Sequence, residues 1–442
     1  MRKKAALHNL GCKVNAYETE AMRQLLEKAG YEIVPFEPGA DVYVINTCTV
    51  TNIADRKSRQ MLHKARKLNP DAIVVAAGCY VETANGQAQQ DSAIDIVLGN
   101  NQKKDIIEAL QVFEEKQRDG KMEGAAWTLE RETDINHTKE YEQLSIDRSE
   151  VRTRADIKVQ DGCNQFCTYC VIPFARGRVR SRMVEDVLQE VHALAKSGCR
   201  EIVLTGIHLS SYGTDLGTSL LELICAVHEE EGISRIRLGS LEPGIVTEEF
   251  AQTLASLPKF CPHFHLSLQS GCDTVLKRMN RRYTAEEFHA KCELLRRTFQ
   301  RPAITTDVIV GFPGETEEEF AVTEEFLRIL QLYETHIFKY SRRQGTRAAV
   351  MPDQITERVK GERSDRLIAL GEENRVRFEQ SWLGHRVTVL PEEEIEVDGK
   401  RYLTGYTKEY IRVAIPAGQG AANTEQSGIL RMGPAAHLLL LD

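Results

Sequence analysis

ADIKVQDGCNQFCTYC, residues 155–170, is a strand-like run followed at once by three cysteines, Cys163, Cys167 and Cys170, at offsets of four and three. A short loop with this spacing can wrap one corner of an iron–sulfur cubane and put a thiolate on each of three irons. The fourth iron then stays open to a chelating cofactor or substrate. Structural zinc asks for a closed set of four ligands, usually as two pairs, and no fourth Cys or His lies in this loop. Zinc and plain buried thiols are the alternatives. Phe166 and Tyr169, between the ligands, either shield such a cluster or pack in the core.

The run opens a series. REIVLTG (200–206), SRIRLGS (234–240), HFHLSLQ (263–269), AITTDVIVG (303–311) and ETHIFKYS (334–341) read as further strands separated by helical stretches. Six such units suit a partial (β/α)6 barrel over residues 151–377 better than a closed eight-unit one. Upstream, AALHNLGC (5–12), DVYVINTC (41–48), AIVVAAGC (72–79) and IDIVLGN (94–100) read as strands. Between them YETEAMRQLLEKAG (17–30) predicts a helix stopped by Gly30, and a basic amphipathic helix runs to about Leu68. Residues 1–115 are therefore expected to form a parallel α/β domain. The charged, weakly periodic stretch 116–150 reads as a helix end and a linker. From 378 to 442 short strands with turn signals such as Asp398-Gly399 predict a small β-barrel.

A chain of 442 residues with 42% hydrophobic and 28% charged residues is that of a soluble, multidomain globular protein. No apolar run approaches the roughly 20 residues of a spanning helix, and the basic N-terminus lacks the apolar core of a signal peptide. A cytoplasmic location with no membrane association is the expectation. Eleven cysteines, an odd number, argue against a closed disulfide framework and for metal binding or chemistry. The net charge of −8 argues weakly against a general nucleic-acid binder, but local basic patches decide docking on phosphates.

Cys12, Cys48 and Cys79 each follow a predicted strand, one or two βα units apart. In an open parallel sheet the strand carboxyl ends share one edge, where ligands bind. The three are expected to converge on a second cluster with an open iron; the alternative is three small buried thiols.

C-x3-C-x2-C at the first strand of a (β/α) repeat resembles the motif of the radical S-adenosylmethionine (SAM) superfamily. There the open iron binds SAM, whose reductive cleavage yields a 5′-deoxyadenosyl radical. LGCKVNAYETE, VINTCTVT and AAGCY, together with CNQFCTYCVIPFARGRVRSR and a TRAM-like C-terminal domain, resemble the methylthiotransferases over nearly the whole chain. The resemblance implies two [4Fe–4S] clusters, on Cys12, Cys48 and Cys79 (auxiliary) and on Cys163, Cys167 and Cys170 (radical SAM), all six cysteines being catalytic. It also implies SAM as both methyl donor and radical source. Lys13-Val14-Asn15, RIRLGSLEP, HFHLSLQSGCDTVLKRMNRRYT and GYTKEYIRV resemble the branch that acts at C2 of N6-threonylcarbamoyladenosine beside the tRNA anticodon. Implied partners are the anticodon stem-loop, a small redox protein as electron donor and a sulfur source; a monomer suffices. The alternatives are isopentenyl-adenosine in tRNA, a ribosomal-protein aspartate, or a zinc-bound RNA-binding protein without catalysis.

Lesser sites complete the reading. Arg176, Arg178, Arg180 and Arg182 could contact anticodon-loop phosphates, pair with a carboxylate, or be a solvated strand. Lys277, Arg278, Arg281 and Arg282 form a second basic cluster, which could equally complement a helix end. TDVIVGFPGET resembles the adenine-side SAM segment, so that Ile309 and Phe312 could pack on adenine and Gly311 and Gly314 permit close approach. Glu242, Gln269 and Asp307 at strand ends could bind ribose or the methionine amine. Tyr402, Tyr406 and Tyr410 could stack on bases or pack within the small barrel. Cys199, Cys225, Cys261, Cys272 and Cys292 match no ligand spacing and are expected to be packing residues.

Overall fold

The computed structural model describes residues 2–84, 86–120, 126–128, 134–149 and 153–442. The N-terminal strands are β1 (Lys4–Asn9), β2 (Glu32–Ile33), β3 (Val42–Thr47), β4 (Ile73–Gly78), β5 (Ile96–Leu98) and β6 (Trp127–Thr128). Among them run α1 (Lys13–Lys28), α2 (Asn52–Leu68), α3 (Cys79–Thr83) and α4 (Ile106–Arg118). The strands form one parallel sheet ordered β2-β1-β3-β4-β5-β6. Every residue of β3 is buried, as expected of a central parallel strand covered on both faces. The first strand is shorter than expected. It stops at Asn9, Gly11 turns at φ 110°, and Cys12 in extended conformation is the N-cap of α1.

Among its described residues, the segment expected as a linker carries structure packed on its neighbours. α4 runs into it, β6 adds an edge strand, and Tyr141, Leu144 and Ile146 are buried. Tyr141 Oη donates to the Lys158 carbonyl at 2.7 Å, and Tyr17 Oη of α1 donates to the Leu144 carbonyl at 2.7 Å. Its apolar residues follow the contours of two neighbours, so they carry no helix or strand period. Residues 121–125, 129–133 and 150 of that linker lie outside the described residues.

The central unit contains β7 (Arg154–Asp161), α5 (Ile172–Ala175), β8 (Arg180–Ser181), α6 (Val184–Lys196), β9 (Glu201–Gly206), α7 (Leu220–His228) and β10 (Arg235–Leu238). It continues through α8 (Glu248–Ser256), β11 (His263–His265), α9 (Asp273–Arg278), α10 (Ala285–Thr298), β12 (Ala303–Val310), α11 (Glu317–Leu330) and β13 (Glu334–Lys339). The six expected strands are present and parallel, in sheets β10-β9-β7 and β11-β12-β13 joined by the bridges Ile236–Phe260 and Leu241–Leu266. β8 adds a short antiparallel edge to β7. Ser219, Thr284 and Thr316 close the starts of α7, α10 and α11 as capping boxes with Glu222, Glu287 and Glu319.

α12 (Glu357–Ser381) leads to β14 (Arg386–Val397), β15 (Lys400–Thr407), β16 (Arg412–Pro416), β17 (Gln426–Ala435) and β18 (Leu438–Leu441), a closed barrel ordered β14-β15-β16-β18-β17. Phe378, where the change of pattern began, lies in the last turns of α12 and packs with Trp382 on the barrel core.

The small barrel docks at the amino ends of the central strands. Arg235 donates to the carbonyls of Tyr406 (2.7 Å) and Thr388 (2.9 Å), and Arg237 to those of Lys408 (2.7 Å) and Thr407 (2.8 Å). Arg237 also pairs with Glu201 at 2.8 Å. Two of the strings that resemble the threonylcarbamoyladenosine branch, RIRLGSLEP and GYTKEYIRV, thus meet each other at this junction. Tyr410 stacks on His263 at 4.9 Å and lies under Arg237 and Arg154, and Tyr406 stacks on Tyr410 at 4.5 Å. Of the two readings open for Tyr406 and Tyr410, packing is the one seen, at the junction of the two domains: both rings are committed to the interface. Replacing Arg237 with Leu removes the closest partner of the buried Glu201 carboxylate, which keeps only longer contacts to Arg154 (3.7 Å) and Arg235 (3.9 Å), and takes the guanidinium donor from two carbonyls. The expected cost is about 3–5 kcal/mol, read by chemical denaturation; an unchanged midpoint would mean that the barrel docks by other contacts.

Candidate metal centres and the cavity between them

Cys12, Cys48 and Cys79 follow β1, β3 and β4, which are neighbours in the sheet. A Cβ on Gly11 would lie 3.0 Å from Cys48 Sγ, so the turn before Cys12 rests on Cys48. Cys48 and Cys79 are buried, while Cys12 is exposed at the edge. Burial, and then the neighbouring thiols Cys79 and Cys12, push the Cys48 thiol up to about 11. Cys12, though exposed as a residue, is also raised, chiefly by the desolvation that its close neighbours impose on the thiol. Three free thiols crowded this way favour a metal that displaces their protons.

Cys163, Cys167 and Cys170 occupy the loop after β7. Gly162 has φ 73° and a Cβ there would lie 1.8 Å from the Arg178 carbonyl oxygen, so only glycine allows this chain reversal. Phe166 adopts φ 51°. The loop is pinned from outside by Thr168 N–H to the Met279 carbonyl at 3.0 Å and by Asn280 Nδ2 to the Phe166 carbonyl at 3.1 Å. Burial, then neighbouring thiols, push Cys170 up to about 12. The backbone N–H of Gln165 reaches Cys163 Sγ at 3.4 Å, and Arg281 Nη1 reaches Cys167 Sγ at 3.2 Å. Arg281 also pairs with Glu242 at 2.6 Å. Its place in KRMNRRYT showed only as positive charge; its partner became visible with the fold. Arg278 instead pairs with Glu319 at 2.6 Å.

A buried ion cluster separates the two cysteine sets. Glu18 of α1 meets Arg176 (2.8 Å), Lys158 (2.7 Å) and Lys103 (3.1 Å), and Asp161 meets Lys158 (2.6 Å), Arg176 (3.1 Å) and Arg180 (3.7 Å). All six residues are buried. Four cations face two carboxylates; nearby Glu82 has its acidity weakened by burial, to about 7. The excess positive charge points at sulfur: Arg176 Nε donates to Cys79 Sγ at 3.3 Å, and Asn100 Nδ2 to the same sulfur at 3.7 Å. Buried charge needs a counter-charge, and thiolates holding an iron–sulfur cluster supply one. The donor set therefore fits anionic clusters.

The expected RNA-contacting arginines separate here. Arg176 and Arg180 lie in the ion cluster, and Arg182 is buried against Glu190. Only Arg178 is exposed, stacked over Phe166 at 4.6 Å. Of the readings open for ARGRVRSR, carboxylate pairing is what Arg176, Arg180 and Arg182 show, with Glu18 of the N-terminal unit and with Asp161 and Glu190 of the central unit. Positive surface lies instead on α2, which starts just after Cys48 and exposes Arg56, Lys57, Arg59, Lys64 and Lys67.

A cavity of about 220 Å³ opens between the two sets, lined by Val50 and Thr51 beside Cys48, and by Cys170, Gln269, Asp307, Ile309 and Phe338. Gln269 holds φ 70° and its N–H donates to the Asp307 carbonyl at 2.8 Å. Glu242 stands apart from this lining, bound to Arg281 and reached by Gln165 Nε2 at 3.2 Å. Two expected cofactor contacts are corrected. Phe312 is fully buried, edge-on to Tyr169 (6.4 Å) and Tyr340 (5.5 Å), so it supports the wall from behind. Gly311 makes room for Lys360, whose Cγ would lie 2.3 Å from a Cβ there. Of the five remaining cysteines, Cys199, Cys261, Cys272 and Cys292 are buried, Cys225 is half-buried, and all five are free thiols.

Residues 157–327 match the Radical SAM superfamily, and residues 4–99 match the uncharacterized protein family UPF0004. The chain is 42% identical to threonylcarbamoyladenosine tRNA methylthiotransferase MtaB of Bacillus subtilis (strain 168), covering 92% of this chain and 89% of that one. It is 38% identical to the protein of the same name from Aquifex aeolicus (strain VF5), over 90% and 95%. It is 34% identical to tRNA-2-methylthio-N(6)-dimethylallyladenosine synthase of Finegoldia magna (strain ATCC 29328 / DSM 20472 / WAL 2508), over 92% and 87%. The radical SAM methyltransferase TsrM of Kitasatospora setae, solved with cobalamin and a [4Fe–4S] cluster, shares the fold with a TM-score of 0.56 at 18% identity, over 77% of this chain and 75% of that one.

Arg176→Leu is expected to destabilise the fold by about 3–5 kcal/mol, because it strips two buried carboxylates of a shared partner. Arg178→Ala is expected to leave the denaturation midpoint almost unchanged. Equal effects would contradict the buried and exposed placements of the two side chains.

Proposed function

The chain belongs to the radical SAM methylthiotransferase family, on its threonylcarbamoyladenosine branch, and we propose that it inserts a methylthio group at C2 of N6-threonylcarbamoyladenosine next to the tRNA anticodon. The observation that carries this reading is the pair of cysteine triads on two α/β units, with a cavity beside Cys170 that Val50 and Thr51 of the N-terminal unit help to line. In this reading Cys163, Cys167 and Cys170 hold the SAM-binding [4Fe–4S] cluster, and Cys12, Cys48 and Cys79 hold a second. When bound, the clusters and SAM supply the one-electron chemistry, the sulfur and the methyl group that the product needs.

The chain's own residues bind and orient. Gln269 and Ile309 line the cavity beside Cys170 and suit the nucleoside part of SAM, while Glu242, held by Arg281, suits the methionine amine. Arg176 and Asn100 hold Cys79, and hydrogen bonds to sulfur tune a cluster's potential. Val50 and Thr51 close the cavity from the N-terminal side, which limits water at the reacting carbon. The exposed basic face of α2 and the exposed Arg178 supply phosphate contacts that position the anticodon loop. The domain division that goes with this reading is 1–115, a bound connector 116–150, 151–377 and a TRAM-like barrel 378–442. A tRNA substrate places the reaction in the cytoplasm. It draws electrons from a small redox protein and needs a sulfur source, and one chain suffices because both triads lie in it.

The test is nucleoside mass spectrometry of tRNA from cells lacking the gene, complemented with wild type or variants. Wild type restores 2-methylthio-threonylcarbamoyladenosine; Cys163→Ala and Cys12→Ala do not. In the purified anaerobic protein each variant loses roughly four of eight irons, one cluster's worth. Cys12→Ala retains reductive SAM cleavage and Cys163→Ala loses it. If threonylcarbamoyladenosine stays unmethylthiolated with wild type, the branch is wrong, and isopentenyl-adenosine and ribosomal proteins become the substrates to examine.

A further inference from the structure

Below the cavity, the interior of the partial barrel carries polar groups that the cofactor chemistry does not use. Strand periodicity puts Thr305, Asp307 and Ile309 of β12 on one face. In register beside them, His265 pairs with Thr305, His336 with Asp307 and Phe338 with Ile309. Ile309 and Phe338 line the cavity with Cys170. One step down, the ligand atoms of His265, Asp307 and His336 lie within 4.8 Å of one another. His265 Nε2 is 3.3 Å from Asp307 Oδ2, its Nδ1 is 2.9 Å from Thr305 Oγ1, and its ring stacks on His336 at 5.7 Å.

Several donors here are unspent. His263 Nδ1 is buried without a partner, at the floor formed by Tyr410. His336 and Lys13 make no hydrogen bond or ion pair among the described residues. Lys13 enters from the N-terminal unit, one residue after Cys12. It is exposed, and its charge is felt by both Asp156 of β7 and His263 of β11. Burial, with Arg237, Lys13, His265 and His336 nearby, holds His263 well below the usual imidazole range, a sign of how much positive potential collects here.

Adenine C2 and C6 flank N1, so a base with C2 turned to the cavity sends its N6 substituent onward into the interior. The threonylcarbamoyl group ends in a carboxylate and carries a hydroxyl and urea N–H groups. Resting on the function proposed above, we infer that Lys13, His263, His265 and His336 form a subsite for the carboxylate of this N6 substituent, with Asp307 accepting from its hydroxyl or urea N–H. This moves Asp307 from the cofactor side to the substrate side. An isopentenyl group offers Lys13, His263 and His336 no polar partner, and a site built to hydrogen-bond its substrate discriminates against an analogue that lacks those groups.

The test uses reconstituted holoenzyme and anticodon stem-loop RNAs that differ only at the target base. One bears the threonylcarbamoyl acid, one its primary amide and one an isopentenyl group. Wild type is expected to bind the acid about tenfold or more tighter than the amide, the scale of charge-assisted hydrogen bonds. Lys13→Met and His336→Phe are expected to lose that preference and raise KM for the acid, while iron content and RNA-independent SAM cleavage stay at wild-type levels. Equal wild-type binding of acid and amide overturns the subsite. Retained preference in both variants overturns it as well. A stoichiometric divalent metal besides iron, lost in His336→Phe, also overturns it, by making the trio a metal site. Binding is read separately from turnover. Acid-selective binding without methylthiolation therefore sinks the functional reading and leaves the subsite standing.

Discussion

Glu18 reaches from α1 to Lys158 on the first barrel strand, to Arg176 after the cysteine loop and to Lys103 before α4. The packing of the N-terminal unit against the barrel hangs on this contact. Buried ion pairs are costly to form, because desolvation offsets much of the Coulomb attraction. What they provide is a single geometry, since any other leaves charge exposed to an apolar interior. Here that geometry sets α1 across β7, α3 against α5, and Cys79 against Arg176. The same guanidinium binds the N-terminal unit, the cysteine loop's own Asp161 and the sulfur of the other triad. A shift of one unit against the other would be felt at both cysteine sets together.

The second junction uses a different device. Arg235 and Arg237 spend most of their guanidinium forks on backbone carbonyls of the small barrel, and Arg235 Nε also pairs with Glu425 of that barrel at 2.7 Å. The planar fork suits such paired acceptors. The consequence reaches inward, because the docked barrel carries Tyr410 to the floor of the central barrel, beneath His263. The small barrel therefore also shapes the floor of the central barrel's interior.

Along the axis of the central barrel the chemistry is layered. Cysteines and backbone donors lie at the carboxyl ends of the strands, an apolar step of Ile309 and Phe338 follows, then the histidines and Asp307, then the tyrosine floor. On β12 and β13 the step from Ile309 and Phe338 to Asp307 and His336 is two residues along one strand face.

Much of this was legible in the chain. The two cysteine triads stand at strand ends, which alternation and spacing reveal because the carboxyl ends of parallel strands share an edge. The six barrel strands show by their apolar runs, and the terminal barrel by its turn residues. Other features depended on partners far away in sequence. ARGRVRSR has the charge of an RNA-binding strand, and only its packing against Glu18, Asp161 and Glu190 turns three of its arginines inward. Phe312 and Gly311 sit in a segment resembling a cofactor contact, yet face Tyr340 and Lys360. Charge and residue type are local properties, read directly from the sequence. Whether a charge meets solvent, a carboxylate or a sulfur is decided by which surfaces are brought together, and that is settled only in the tertiary structure.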